Sequence, residues 1–239
     1  MSKLLNVSSS PHVRCGVSTK NLMYDVAIAM LPATIWGVMQ FGIYSLIVVV
    51  ATVLSCVLSE YLFETLMHKP VTISDGSALV TGMILGLNMP PAIPLWMPIL
   101  GGVFAIIVVK QLFGGLGQNW MNPALAARCF MLISFAQAMT KFTDPVTDAV
   151  ASATPLAAIK AGDTYDLAAM FIGKIPGTIG EVSVIALLIG AAYLLVKKVI
   201  TIRIPAAYIL SFAVFAFIFG QHNINYVLAE VCGGGLIFG

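Results

Sequence analysis

The sequence predicts an all-α, polytopic membrane protein, and three observations carry that reading. Charge is scarce: 12 Lys or Arg and 10 Asp or Glu amount to 9% of the 239 residues, against about 25% in soluble domains. Apolar residues make up 59%, with a mean hydropathy of +0.99. They also fall into long stretches, near 22–40, 43–63, 77–90, 94–113, 122–138, 182–197, 204–220 and from 225 onward. In water such a chain would expose broad apolar patches, which excludes soluble enzymes and soluble binding modules. A net charge of +2 is too small and too scattered for a nucleic-acid surface. Cys15, Cys56, Cys129 and Cys232 lie far apart with no Cys-x-x-Cys pair. Neither a disulfide framework nor a metal site is expected.

Taken in order, residues 1–21 hold no apolar core, so no cleavable signal peptide is expected and the segment reads as cytoplasmic. A spanning helix needs about 20 apolar residues, which 22–40, 43–63 and 94–113 supply. Segment 77–90 is shorter and runs into Asn88-Met-Pro-Pro-Ala-Ile-Pro94, whose prolines stop a helix. It is either a half-helix or a helix whose end unwinds where neighbours bury its backbone. If every segment crosses, the inner side collects Lys3, Arg14, Lys20, Lys69, Lys110, Lys197, Lys198 and Arg203. The outer side holds Lys141, Lys160 and Lys174, as the positive-inside rule requires. A re-entrant 77–90 would invert everything after it, and the Lys197-Lys198…Arg203 cluster argues against that. The expected organisation is a cytoplasmic segment (1–21), a first membrane helix group (22–138), an extracytoplasmic loop (139–181) and a second membrane helix group (182–239). The last is expected to be incomplete, because Cys232-Gly-Gly-Gly-Leu-Ile-Phe-Gly239 ends inside an apolar stretch.

Within the expected spans Arg128 is the one charged residue, and an intramembrane ionisable group is a functional candidate by default. The plainer alternative is a side chain snorkelling to the inner interface. Asp25 and Glu60 lie near segment ends and are expected at the interface. Segment 112–123 joins three glycines to Asn119 and Asn122, so backbone can approach closely and two amides offer donors and acceptors. Asn122-Pro123 also reads simply as a helix start, Asn as N-cap and Pro at N1. In loop 139–181, Thr154-Pro155 likewise reads as a cap and first turn. Such a start would set one hydroxyl among small neighbours at the positive end of a helix, where a phosphate is well placed.

Asp148-Ala-Val-Ala-Ser-Ala-Thr154 resembles the flavinylation motif D-x-x-(S/T)-(G/A/S)-A-T, in which FMN is joined through its phosphate to the threonine hydroxyl. Asp148, Ala153 and Thr154 match; Ala151 stands where Ser or Thr is usual, and Ser152 where Gly is usual. Three further stretches point the same way: Ser10-Pro-His-x-Arg14, Ser74-Asp-Gly-Ser-Ala-Leu79 and Phe113-Gly-Gly-x-Gly-x-Asn119-x-x-Asn-Pro-Ala124. Together they resemble the D subunits of Rnf ion-translocating ferredoxin:NAD oxidoreductase complexes, a family shared with the B subunits of Na⁺-translocating NADH:quinone oxidoreductases. The likeness runs along essentially the whole chain.

That resemblance implies a multi-pass subunit of a bacterial or archaeal cytoplasmic membrane, part of a translocase but with no complete catalytic site of its own. It implies covalent FMN on Thr154, with Asp148, Ser152 and Ala153 as the surrounding recognition sequence, and a separate flavin transferase that makes the bond. It implies a non-covalent riboflavin among the spans, at residues that the resemblance does not name; Asn119, Asn122 and Arg128 are cofactor-binding candidates on their own chemistry. The implied partners are the flavin-bearing G subunit, the membrane A and E subunits and the iron–sulfur C and B subunits. No G-x-G-x-x-G or Walker pattern occurs, so hydride chemistry on NAD would belong to those partners. The alternative is a solute or ion transporter or channel of urea-channel-like architecture, whose broken segments would line a midplane site; a third reading is a purely structural subunit. Covalent flavin separates the first from both.

Overall fold

The computed structural model describes residues 18–143, 150–151, 176–181, 183–219, 227–228 and 231. Helix α1 (Thr19–Phe41) starts where the Ser18 side chain accepts a hydrogen bond from the Lys20 N–H. It ends at Gly42, whose φ of 81° turns the chain directly into α2 (Ile43–Leu66). These two helices alone, among the described residues, are long and apolar enough to cross a membrane. Their hairpin defines the two ends of the bundle, here the Ser18 end and the Gly42 end.

A short 3₁₀ turn (Ile73–Asp75) brings the chain back into the bundle at the Ser18 end as α3 (Ser77–Leu87). Gly82 and Gly86, one helical turn apart, let α3 lie against the α2 backbone. A Cβ on Gly82 would come within 2.6 Å of the Val53 Cα. This small-xxx-small contact suits packing in lipid, where close van der Waals fit replaces the hydrophobic drive. At Asn88 the helix stops. Eleven residues rise about 16 Å, roughly half of a ~30 Å hydrocarbon core. The chain then runs on unwound to the Gly42 end, where the Tyr44 hydroxyl donates to the Ile93 carbonyl at 2.9 Å. Segment 77–90 is therefore a half-helix, and the unwound chain carries on to the other end of the bundle.

Helix α4 (Trp96–Val103) returns toward the Ser18 end and widens into a π-helix over Phe104–Gln111. The Ser55 hydroxyl donates to the Ile99 carbonyl, fixing α4 alongside α2. After the glycine-rich loop, α5 (Pro123–Ser134) runs back up, capped by the Asn122 side chain on the Ala124 N–H. A single turn α6 (Ala136–Met139) follows, then a two-residue antiparallel pair, β1 (Phe142–Thr143) with β2 (Val150–Ala151). That pair is the exception to an otherwise helical fold among the described residues. Helix α7 (Val184–Val196) packs along α1, where Gly190 sits against the Ala29 carbonyl. Helix α8 (Arg203–Phe219) buries none of its residues.

The core is small side chains plus a few large ones: Val48, Leu85, Met89, Ile93, Ala127, Met131 and Ile179. Around it, α1 and α2 present Ile35, Met39, Leu54, Leu58 and Leu62 outward. Apolar on the outside as well as the inside, these helices belong in a membrane.

Candidate functional site

Two buried polar clusters interrupt this apolar bundle. The first lies at the end of α3. There Asn88 is buried, its Nδ2 donates to the Ile84 carbonyl at 2.8 Å, and its Oδ1 accepts from Arg128 Nη1 at 2.6 Å. The guanidinium of Arg128 thus reaches into protein, two turns into α5. Opposite it, the chain arriving at α7 docks on the unwound end of α3: the Ile179 N–H donates to the Met89 carbonyl and the Gly180 N–H to the Leu87 carbonyl. Glu181 follows, held by the Thr178 hydroxyl at 3.2 Å and electrostatically coupled to Arg128.

Helix dipoles favour these signs of charge: the C-terminal end of α3 favours a nearby cation such as Arg128, and the start of α7 a nearby anion such as Glu181, three residues ahead of it. Close approach is secured by glycine: a Cβ on Gly37 would strike the Ile179 carbonyl, and one on Gly180 would press on Leu87. Beside the cluster is a cavity of about 430 Å³, walled mainly by apolar residues of α1, α7 and α8 with Asn88, Thr178 and Glu181 at one side.

The second cluster is at the Ser18 end. Lys110, only 2% exposed, is 2.6 Å from Glu60, which is fully buried. Gln111 Nε2 donates to the same Glu60 oxygen and, more weakly, to Glu64. Glu64 in turn accepts from the Thr72 N–H at 2.9 Å, and Lys110 also donates to the Ser77 hydroxyl. Asp75 accepts from both the N–H and the hydroxyl of Ser77, which fixes the start of α3. The stretch Ser74-Asp-Gly-Ser77 is thus a helix start wired into a buried ion pair. Two expectations are corrected here. Glu60 is buried, not interfacial, and Arg128 is not the sole charge inside the spans. A visible signal was the Glu60/Glu64 spacing of four, which puts both carboxylates on one face of α2; the Lys110 and Gln111 that bond them lie some 50 positions away.

Between the clusters runs the glycine-rich loop. Gly114, Gly115 and Gly117 have φ of 112°, 96° and 86°, values that suit glycine and explain the composition. Asn122 is used as the α5 cap, and Asn119 Nδ2 donates to the Met121 carbonyl at 3.2 Å. The Asn119 Oδ1, however, is buried with no partner among the described residues. It borders a cleft of about 330 Å³ that Met23, Ser77, Lys110 and Asn122 also line. Arg128 is not part of that cleft's wall, so the structure groups Asn119 with Asn122 and sets Arg128 apart. Asp148, Ser152, Ala153 and Thr154 lie outside the described residues.

Fold and clusters together define a class: a polytopic membrane protein with a half-helix that ends inside the bundle and ionisable side chains buried at and below that end. Residues 6–239 match the model of the NQR2, RnfD, RnfE family. The chain belongs to that family. It is 46% identical to the D subunit of the Na⁺-translocating ferredoxin:NAD⁺ oxidoreductase complex of Acetobacterium woodii, over 98% of this chain and 74% of that protein. Identity to the D subunit of the proton-translocating ferredoxin:NAD⁺ oxidoreductase complex of Clostridium ljungdahlii is 38%, over 99% of this chain and 76% of that one. The D subunit of the ion-translocating oxidoreductase complex of Methanosarcina acetivorans is 31% identical, over 98% and 73%.

Proposed function

We propose that this chain is the D-type subunit of an ion-translocating ferredoxin:NAD oxidoreductase complex and relays electrons through FMN esterified to Thr154. The single observation that carries the reading is Asp148…Ala153-Thr154 in a chain 46% identical to a protein named as that subunit. A phosphoester needs a hydroxyl, which Thr154 has, and Pro155 biases Thr154 to an extended backbone with the hydroxyl clear of a helix. Asp148, Ser152 and Ala153 are the sequence that the flavin transferase reads. The other Rnf subunits take electrons to and from this one.

A second, non-covalent riboflavin belongs in the cleft beside the glycine-rich loop. The donor set supports it: Asn119 Oδ1 is a buried acceptor lacking a partner among the described residues, and Ser77, Lys110 and Asn122 are at the same wall. A flavin supplies one- and two-electron transfer; the protein supplies its position and electrostatics. Here the Glu60 and Ser77 contacts hold Lys110 in one place, and the backward turn at Gly114–Gly117 brings Asn119 to the cleft.

The Ser18 end faces the cytoplasm and loop 139–181 faces outward, in the cytoplasmic membrane. Supporting this, Lys20, Lys69, Lys110, Lys197, Lys198 and Arg203 gather at or beyond the Ser18 end, while Lys141 lies toward the other. The test of the relay is in-gel flavin fluorescence of the denatured full chain, made in cells containing the transferase. Wild type should fluoresce and Thr154→Val, nearly isosteric, should not. A dark wild-type band returns the transporter reading to the front.

A further inference from the structure

We propose that Arg128 is a tethered cation that occupies the cation position of the helix break, so that this bundle is closed to ions at its middle. Half-helices that meet inside a membrane usually expose the carbonyls of the terminating helix, and a permeant cation binds there. In this chain three acceptors of such a site are already taken from within. The Leu87 and Met89 carbonyls accept from the Gly180 and Ile179 N–H groups. Asn88 Oδ1, the side-chain acceptor at the same point, takes Arg128 Nη1 at 2.6 Å. Ile179 is fully buried over the junction. Glu181, which could otherwise draw in a cation, is coupled to Arg128.

A cation crossing here would have to displace a guanidinium that is covalently part of α5 and part the backbone bonds of the 178–180 segment. Both costs fall in a low-dielectric setting, where separating paired charge is expensive. The fold that suggests a transporter therefore holds a seal where a transporter holds its ion. The inference is independent of the flavin and would stand if Thr154 carried none.

The test uses purified full chain in liposomes, with an internal pH dye, an internal Na⁺ dye and a K⁺/valinomycin potential. Wild type should pass Na⁺ and H⁺ at the rate of protein-free vesicles, and so should Arg128→Lys, which keeps the tethered charge. Arg128→Gln should raise cation flux by about tenfold or more, equal to lowering the barrier by about 1.4 kcal/mol. Gly37→Ala, whose methyl would strike the Ile179 carbonyl, should loosen the same seal without touching a charge. Size exclusion and thermal melts in detergent verify that each variant is folded. Wild-type flux above the vesicle background would overturn the proposal. So would folded Arg128→Gln and Gly37→Ala proteins that both stay as tight as wild type.

Discussion

At the scale of single residues, the buried Glu60–Lys110 pair is where energetics are most exposed to test. Two charges taken out of water are tolerated because each is bonded again, Lys110 to Ser77 and Glu60 to Gln111. Removing one partner leaves the other charged, buried and unmatched, which costs about 3–5 kcal/mol. Glu60→Leu should therefore lower the melting temperature in detergent sharply. The double change Glu60→Met with Lys110→Met should recover most of that loss, since apolar replacement of a whole pair is often neutral. Equal melting of the single and double variants would show that the pair does not matter as a pair. Asn119 is a second residue-scale case. If its Oδ1, without a partner among the described residues, serves a flavin, Asn119→Leu should release fluorescent flavin from native protein while leaving covalent fluorescence on the denatured chain intact. Loss of both signals, or of neither, would contradict the division into two flavin sites.

Elements were legible in the sequence where a local rule sets them. Hydropathy marked α1 and α2, Asn122-Pro123 marked the start of α5, and Asn88-Met-Pro-Pro marked the stop of α3. What did not show is what depends on distant chain. The docking of 178–180 on the end of α3 pairs residues some ninety positions apart, and Ile175-Pro-Gly-Thr-Ile-Gly180 reads locally as plain loop. The π-helix at Phe104–Gln111 leaves no mark in hydropathy, yet it carries both Lys110 and Gln111 to α2. Arg128 was visible as an oddity, but its partner Asn88 was legible only as a helix stop. Element packing gives its own prediction at the α2–α3 contact. Gly82→Ala puts a methyl 2.6 Å from the Val53 Cα, and overpacking of this kind costs about 1–3 kcal/mol. A melting temperature equal to wild type would mean that the two helices can part at no cost.

For the molecule as a whole, orientation and cofactor decide what it does. A cysteine placed at Asp163 should react with an impermeant maleimide in intact cells, and one placed at Lys198 only after permeabilisation. The reverse pattern would put the proposed flavin loop on the ferredoxin side and overturn the topology. Membership of the family is independent of that outcome, because it rests on a match along residues 6–239; the relay is not. The relay stands on Thr154, and the most direct measurement is peptide mass spectrometry of the protein produced with its flavin transferase. The peptide bearing Thr154 should gain the mass of FMN less one water, with fragment ions placing the phosphoester on Thr154, and the Thr154→Val peptide should run unmodified. An unmodified wild-type peptide, or flavin mapped to another residue, would contradict the account.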